Sequence, residues 1–413
     1  MTSTRSIADV VADDLCIGCG LCESVTGGRV TMQPTANGSI RPSPLDRFTV
    51  DEERSLLRAC PGVVAAPRPE RREATAPEPP PVDVVWGANR WMGLAWAADP
   101  EVRFRAATGG VLTALAGQAL DGGRVASVLH VGPDPDHPLR NRWTLSRTAD
   151  DVAASSGSRY APTAPLAGLA TALDRGEPFA VIAKPCDLGA VHLMAAADPR
   201  VDDLCPIRLT MVCGGQSRAT KTLGLLDRLG IAPDDVARID YRGNGNPGPT
   251  RVTTTDGRHH EVTYLEMWED ESTWAVETRC KFCPDALGEA SDVAAADAWP
   301  GGAPTGEDDG VNAIVVRTRT GRELVDEAVA AGRLVLGAPI DPRRFDDLQP
   351  HQVRKKEALA ARYRGMVDAG VNPIAADGLR LDELGRRLTD DQATAQRRGA
   401  ARRLRTIRET GSR

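Results

Sequence analysis

The sequence predicts an α/β (α+β) protein built on a mixed sheet, with a small cysteine-rich module before the sheet and a helical tail after it. Three observations carry this expectation. Short runs rich in Val and Ile alternate with helical patterns from about residue 85 onward. Cysteines gather at metal-ligand spacing near the start, and the chain ends in an arginine-rich helical pattern.

Residues 1–64 form the first module. Cys16, Cys19 and Cys22 stand at C-x2-C-x2-C spacing, and Cys60 is followed directly by Pro61. Three thiolates at that step reach three corners of one iron–sulfur cube, and a distant Cys-Pro supplies the fourth ligand. Zinc sites generally need only the paired C-x2-C, so the third cysteine favours iron. The segment is too short for a large core, and as a ferredoxin-like iron–sulfur module it would take its order from the metal. Residues 65–84 follow as a linker: six prolines fall within residues 65–83 among Glu, Arg and Ala, a composition that packs no core.

Residues 85–345 read as the main domain. The runs at 125–129, 179–183 and 207–212 have the length and β-branched content of buried strands, and 312–316, 323–331 and 334–336 read as strand, helix, strand. Asp256-Gly257 within residues 250–264 signals a local hairpin. Cys186 and Cys213 follow two of the strand candidates, where a sheet faces its ligand crevice. With the pair Cys280 and Cys283 they make a possible second set of four ligands. The alternative is two small buried hydrophobes plus half of a zinc site. Cys205 has no nearby residue to complete a ligand set and is expected to be structural.

Residues 346–413 form a helical basic tail. Residues 378–413 hold ten arginines against five acids, a net of +5, so the rest of the chain carries −11. A solvated helix explains this, and so does a docking surface for an acidic partner such as a ferredoxin. No internal repeat of useful length is visible.

Composition narrows the function classes. The formal charge of −6 gives no reason to expect a nucleic-acid partner. No apolar run approaches the roughly eighteen residues that span a bilayer, and the first residues lack a signal-peptide pattern, so a cytoplasmic protein without membrane insertion is expected. Nine cysteines in a reducing compartment point to metal ligation or redox chemistry rather than disulfides. The histidines show no H-E-x-x-H step, and neither a G-x-S-x-G elbow nor a G-x-x-x-x-G-K-[ST] loop is present.

A cluster passes one electron at a time whereas most organic reductions need two, so a converter is required, and flavin is the usual one. Thr108-Gly109-Gly110 before Val111 resembles a glycine turn opening a helix, where backbone amides face an anion, with Arg103 and Arg105 close by. Close packing at a helix start explains the same glycines. Two further candidate loops are Gly157-Ser158-Arg159-Tyr160 and Arg242-Gly243-Asn244-Gly245 with Gly248. Gly243, Gly245 and Gly248 satisfy G-x-G-x-x-G, but Pro247, Pro249 and the following hairpin argue for strand where a dinucleotide fingerprint needs a helix. Lys184 and Asp187 are the best candidates for proton donors beside the flavin, and a salt bridge or helix cap accounts for them equally simply.

Together these motifs resemble the beta subunit of coenzyme F420 hydrogenases and dehydrogenases and the related 7-hydroxymethyl chlorophyll a reductases. The marks are the run from Cys16 to Cys22, Arg103 with Thr108 to Val111, Gly157 to Tyr160, Lys184-Pro185-Cys186-Asp187, Tyr241 to Gly245 with Pro247-Gly248, Cys280 to Cys283 with Pro284-Asp285, and Asp297-Ala298-Trp299. The resemblance implies a flavin-binding core that carries FAD, with one or two 4Fe-4S clusters. It further implies electron exchange between a one-electron donor, a ferredoxin or partner subunit, and coenzyme F420 or another small organic substrate. A non-catalytic electron-transfer subunit is the alternative, and assembly into a homo-oligomer stays open. By position, the three glycine loops would surround FAD and the two cysteine groups would hold clusters. Family members commonly carry Ser where this chain has Ala107 or Thr108, and Gly where it has Ala296, so hydroxyl contacts to the flavin are expected to differ.

Overall fold

Segments buried on both faces pair into one eight-stranded mixed sheet in the computed structural model, which describes residues 5–69, 79–268, 270, 273–299 and 309–410. In chain order the strands are β1 (Trp91–Ala97), β2 (Ser127–Pro133), β3 (Asn141–Ser146), β4 (Phe179–Ile182), β5 (Ile207–Met211), β6 (Val293–Asp297), β7 (Asn312–Val316) and β8 (Leu334–Pro339). Across the sheet they lie β8-β1-β7-β6-β5-β4-β2-β3. The block β6-β5-β4-β2 is parallel, and the remaining strands add antiparallel at its two sides. Parallel neighbours place the carboxyl ends of β4 and β5 at the same edge, and that edge carries the site.

Alternation along each strand splits the core. Phe179, Val181 and Leu129 enter one apolar cluster with Leu188 and Val191 of the helix Pro185–Met194. Ala180, Val128 and Leu209 enter another with Leu115 of the helix Val111–Asp121 and Leu324 of the helix Arg319–Ala330. The first cluster also contains Ile7, Ile17, Leu21 and Leu56. The amino-terminal segment therefore shares the sheet's core instead of standing apart, and metal is not its sole source of order.

The expected strands at 179–183, 207–212 and 312–316 are present within one residue at either end. The strand expected at 125–129 begins at Ser127, because the Val125 amide still donates to Ala119 O and closes the preceding helix. The hairpin forms between Thr250–Thr254 and His259–Val262, with Gly257 at a φ of +84° in the turn, and Val236–Asp240 completes a small sheet. No helix follows Gly248, as the rejection of a dinucleotide fingerprint requires. Residues 70–78 of the expected linker lie outside the described residues; before them Ala65 is buried and Arg68 pairs with Asp292 at 3.1 Å.

The tail packs rather than projects. Its long helix, Asp390–Thr410, lies against the helix Leu359–Asp368 and buries Ala400 and Leu404. Gly365 sets the spacing, since a Cβ there would stand 2.3 Å from Arg397 O. Among the described residues no helix is long and apolar enough to cross a membrane. Replacing Gly365 with Ala is expected to cost about 1–3 kcal/mol by overpacking and to make residues 390–410 cleavable in limited proteolysis. A variant that melts with the parent and resists the protease would mean that the two helices are not in this close contact.

Candidate functional site

Cys16 and Cys19 lie on the loop after the helix Ile7–Ala12, Cys22 opens the helix Leu21–Val25, and Cys60 ends the helix Val50–Ala59. The loop is tight because Gly18 and Gly20 both take positive φ, +72° and +89°. A Cβ at Gly20 would stand 2.6 Å from the Ala167 amide nitrogen. Burial pushes the Cys16 thiol up to about 12 and those of Cys19 and Cys22 well above their ordinary value, and Cys60 adds to the effect on all three. The four sulfurs therefore sit within electrostatic reach of one another. Buried thiols ionise against a compensating cation, and a bound metal supplies one.

The second group forms where the sheet's parallel strands end. Cys186 occupies the first turn of the helix after β4, Cys213 follows β5, and Cys280 and Cys283 come from the helix Thr278–Lys281 and the residues beyond it. Burial raises Cys213 to about 12, with Cys280 and Cys283 contributing; Cys186 is raised by burial and by Asp187, with Cys283 adding to it. The Gln216 amide donates to Cys280 Sγ at 3.4 Å and Arg279 Nη1 to Cys283 Sγ at 2.8 Å. Among the described residues no three ligating groups close on a single-ion position; a cube instead engages one thiolate at each of four separated corners. Cys205 is buried and lies 3.9 Å from Ile207 O, outside both groups.

The three glycine loops also meet. Arg242 is almost fully buried and donates from Nη1 to Tyr160 OH at 3.2 Å and Asp297 Oδ2 at 3.1 Å, and from Nη2 to Ala107 O at 2.8 Å. Burial opposes its charge, but Asp297 and the tyrosines Tyr160 and Tyr264 outweigh that, so the guanidinium stays charged. The Thr108 hydroxyl donates to Asp297. Gly243 must be glycine, since its Cβ would stand 2.3 Å from Arg105 O, and the Gly245 amide donates to Phe104 O at 3.0 Å. Asn244 takes a φ of +54° between them. Gly157 lies against Arg242 O, and Ser158 beside it is half-buried.

Three of the expected contacts differ from a simple anion cradle. The amides of Gly109 and Val111 donate to Asn312 Oδ1 at 3.0 and 3.3 Å, so the helix start is already capped across the sheet, with Gly110 in the left-handed region between them. Arg103 donates to Gly310 O at 2.7 Å and stacks 4.8 Å from the Trp96 ring centre. Arg159 binds Asn141 Oδ1 at 2.7 Å and Ile239 O at 3.0 Å. Yet Arg242 Nε, Arg159 Nη2, Trp299 Nε1 and both side-chain polar atoms of Asn246 are buried without a protein partner. Each such atom costs about 1–3 kcal/mol, and a polar cofactor that met them would recover it. Those donors and acceptors fit a flavin nucleotide.

Lys184 and Asp187 are bonded to each other at 2.7 Å, and Lys184 Nζ also donates to Thr163 Oγ1 at 2.8 Å. Burial lowers the lysine's affinity for its proton, but Asp187 and the neighbouring thiols more than reverse this. Asp187 in turn accepts from the Lys184 amide and caps the helix that carries Cys186. The pair expected to donate protons is thus joined in a salt bridge that caps the helix carrying Cys186. Sequence reasoning missed Asn312, Asn246, Gln216 and Arg279, although Asn246 falls inside the Gly243 to Gly248 loop, Gln216 stands three residues after Cys213 and Arg279 stands next to Cys280.

Residues 92–170 match the amino-terminal part, and residues 176–342 the carboxyl-terminal part, of the family described as Coenzyme F420 hydrogenase/dehydrogenase, beta subunit. The F420-dependent formate dehydrogenase 1 subunit beta of Methanococcus maripaludis is 26% identical over 59% of this chain, which spans 60% of that relative's length. A subunit of the F(420)H(2) dehydrogenase of Methanosarcina mazei is 23% identical over 78% of this chain and 84% of its own. The fold is similar to a chain from the F420-reducing [NiFe] hydrogenase complex of Methanosarcina barkeri, with a TM-score of 0.54 at 20% identity, over 70% of this chain and 97% of that one.

Asp297 ties Arg242 and Thr108 together where the glycine loops meet. Asp297→Ala is expected to destabilise the fold by about 3–5 kcal/mol because it strands a buried guanidinium, whereas Thr108→Ala should cost only about 1 kcal/mol. Urea unfolding of the two variants compares these losses, and equal values would deny Arg242 its dependence on Asp297.

Proposed function

The chain belongs to the family of coenzyme F420 hydrogenase/dehydrogenase beta subunits, and we propose that it is an FAD- and iron–sulfur-dependent oxidoreductase. In this reading it passes electrons between a one-electron donor, a ferredoxin or partner subunit, and coenzyme F420 or another small two-electron acceptor. The observation that carries the proposal is the gathering of eight buried or half-buried cysteines into two electrostatically linked groups that Gln216 joins, together with polar atoms buried without a protein partner around Arg242.

The residues take distinct parts. Cys16, Cys19, Cys22 and Cys60 would hold one 4Fe-4S cluster, and Cys186, Cys213, Cys280 and Cys283 a second. Arg242, Asn246, Trp299 and the loop at Gly157 to Tyr160 would hold FAD, with Asp297 and Thr108 fixing Arg242. Bound flavin supplies the exchange between electron pairs and single electrons. Lys184 and Asp187 present Cys186, and Gln216 joins the groups by donating from its amide to Cys280 Sγ and from Nε2 to Ile17 O at 3.0 Å. The curated relatives are named as subunits, which favours work within a larger complex. Flavin content separates a catalytic role from a purely wiring one.

Protein purified without oxygen should contain about eight iron atoms and one FAD per chain, and reduced F420 should bleach its flavin absorbance. Cys60→Ser should lose about half the iron and keep the flavin. Zinc in place of iron, or a flavin-free chain, would overturn the proposal.

A further inference from the structure

Arg279 lies between the two cysteine groups and is only 1% exposed. Its Nε and Nη2 donate to the carbonyl of Pro61, next to Cys60, at 3.1 and 2.9 Å, while Nη1 donates to Cys283 Sγ at 2.8 Å. Its charge acts on Cys60 of the first group and on Cys186, Cys280 and Cys283 of the second. Of the neighbouring cations, Arg5 and Arg41 act on cysteines of the first group and Lys184 and Lys355 on cysteines of the second. Asp187 is the opposing charge near both Cys19 and Cys186, but Lys184 is paired with it at 2.7 Å.

We propose that Arg279 is a shared electrostatic element, one guanidinium bonded toward both groups that raises the reduction potential of both clusters together. The inference rests on the two-cluster reading above. Each electron a cluster accepts adds negative charge, and a fixed cation nearby stabilises the reduced form, more strongly where water is excluded. A single cation touching both ends keeps the two potentials in step, which lets an electron cross between them without a large uphill move. An arginine suits the task because its fork donates in two directions at once while its charge never titrates.

The experiment is a redox titration followed by electron paramagnetic resonance, on the intact protein and on R279Q and R279K. Iron content and two reduced-cluster signals in the parent come first; a parent without them refutes the two-cluster reading itself, whatever Arg279 does. With both signals present, R279Q should move both midpoints to more negative values and R279K should restore only one of them. Unchanged midpoints in R279Q, or a shift confined to one cluster, would overturn the proposal. Should R279Q fail to keep its clusters, R279K decides: a lysine reaches one partner only, so the two midpoints should separate, and midpoints identical to the parent's would reject a shared role.

Discussion

A buried ionic lattice holds the two cysteine motifs to one another. Arg41 Nη2 meets Asp14 Oδ1 and Glu277 Oε2, each at 2.8 Å, and Arg218 reaches the same two acids at 2.5 and 3.4 Å. Asp14 stands two residues before Cys16 and Glu277 three before Cys280, so each acid is the root of one ligand loop. Thr278 donates to Asp14 as well, at 2.5 Å. Two carboxylates this deeply buried are tolerable only because two guanidinium groups satisfy them, and losing one partner strands the rest. The relative position of the loops follows from this lattice before any metal is considered.

The same balance recurs beyond Cys283. Asp285 accepts from the amides of Leu287, Gly288 and Glu289 and folds the chain back toward β6. Glu289 then meets Lys356 and Arg380 at 2.5 Å each, both from the carboxyl-terminal part of the chain. Its carboxyl is held below its usual range by those cations despite burial. Two charge networks thus flank the second cysteine pair in sequence, one rooted at Glu277 before Cys280 and one at Glu289 after Cys283.

Much of this was legible in the sequence, and the part that was not has a physical pattern. The eight cysteines stood out in the sequence, six by short spacing or a following proline and Cys186 and Cys213 by their place after strands, and the structure gathers them into the two groups described above. Strands β4, β5 and β7 were legible because burial on both faces favours short runs that carry Val, Ile or Leu. Strand β6, Val-Ala-Ala-Ala-Asp, was not: its β-propensity is weak, and pairing with β5 on one side and β7 on the other imposes the conformation. The supporting side chains were hidden for a related reason. Arg279 binds a carbonyl 218 positions away and Asn312 an amide 203 positions away, and no local pattern marks such partners.

The tail shows how a one-sided charge count misleads. Ten arginines over residues 378–413 read as a solvated or docking face, yet the long helix packs on the helix Leu359–Asp368, and that helix covers the chain beside the second cysteine pair. Arg362 donates to Lys281 O at 2.9 Å and the Tyr363 hydroxyl to Phe282 O at 3.3 Å, between Cys280 and Cys283. Phe282 itself is buried among Leu359, Met366 and Leu404. A carbonyl that is bonded and covered cannot admit water to the sulfur beside it, and exclusion of water governs both the potential of a thiolate-bound cluster and its survival. Several arginines of this stretch are themselves engaged, Arg397 with Asp368 and Arg408 with Asp13, while the inner face, chosen by packing, lies against the residues beside Cys280 and Cys283.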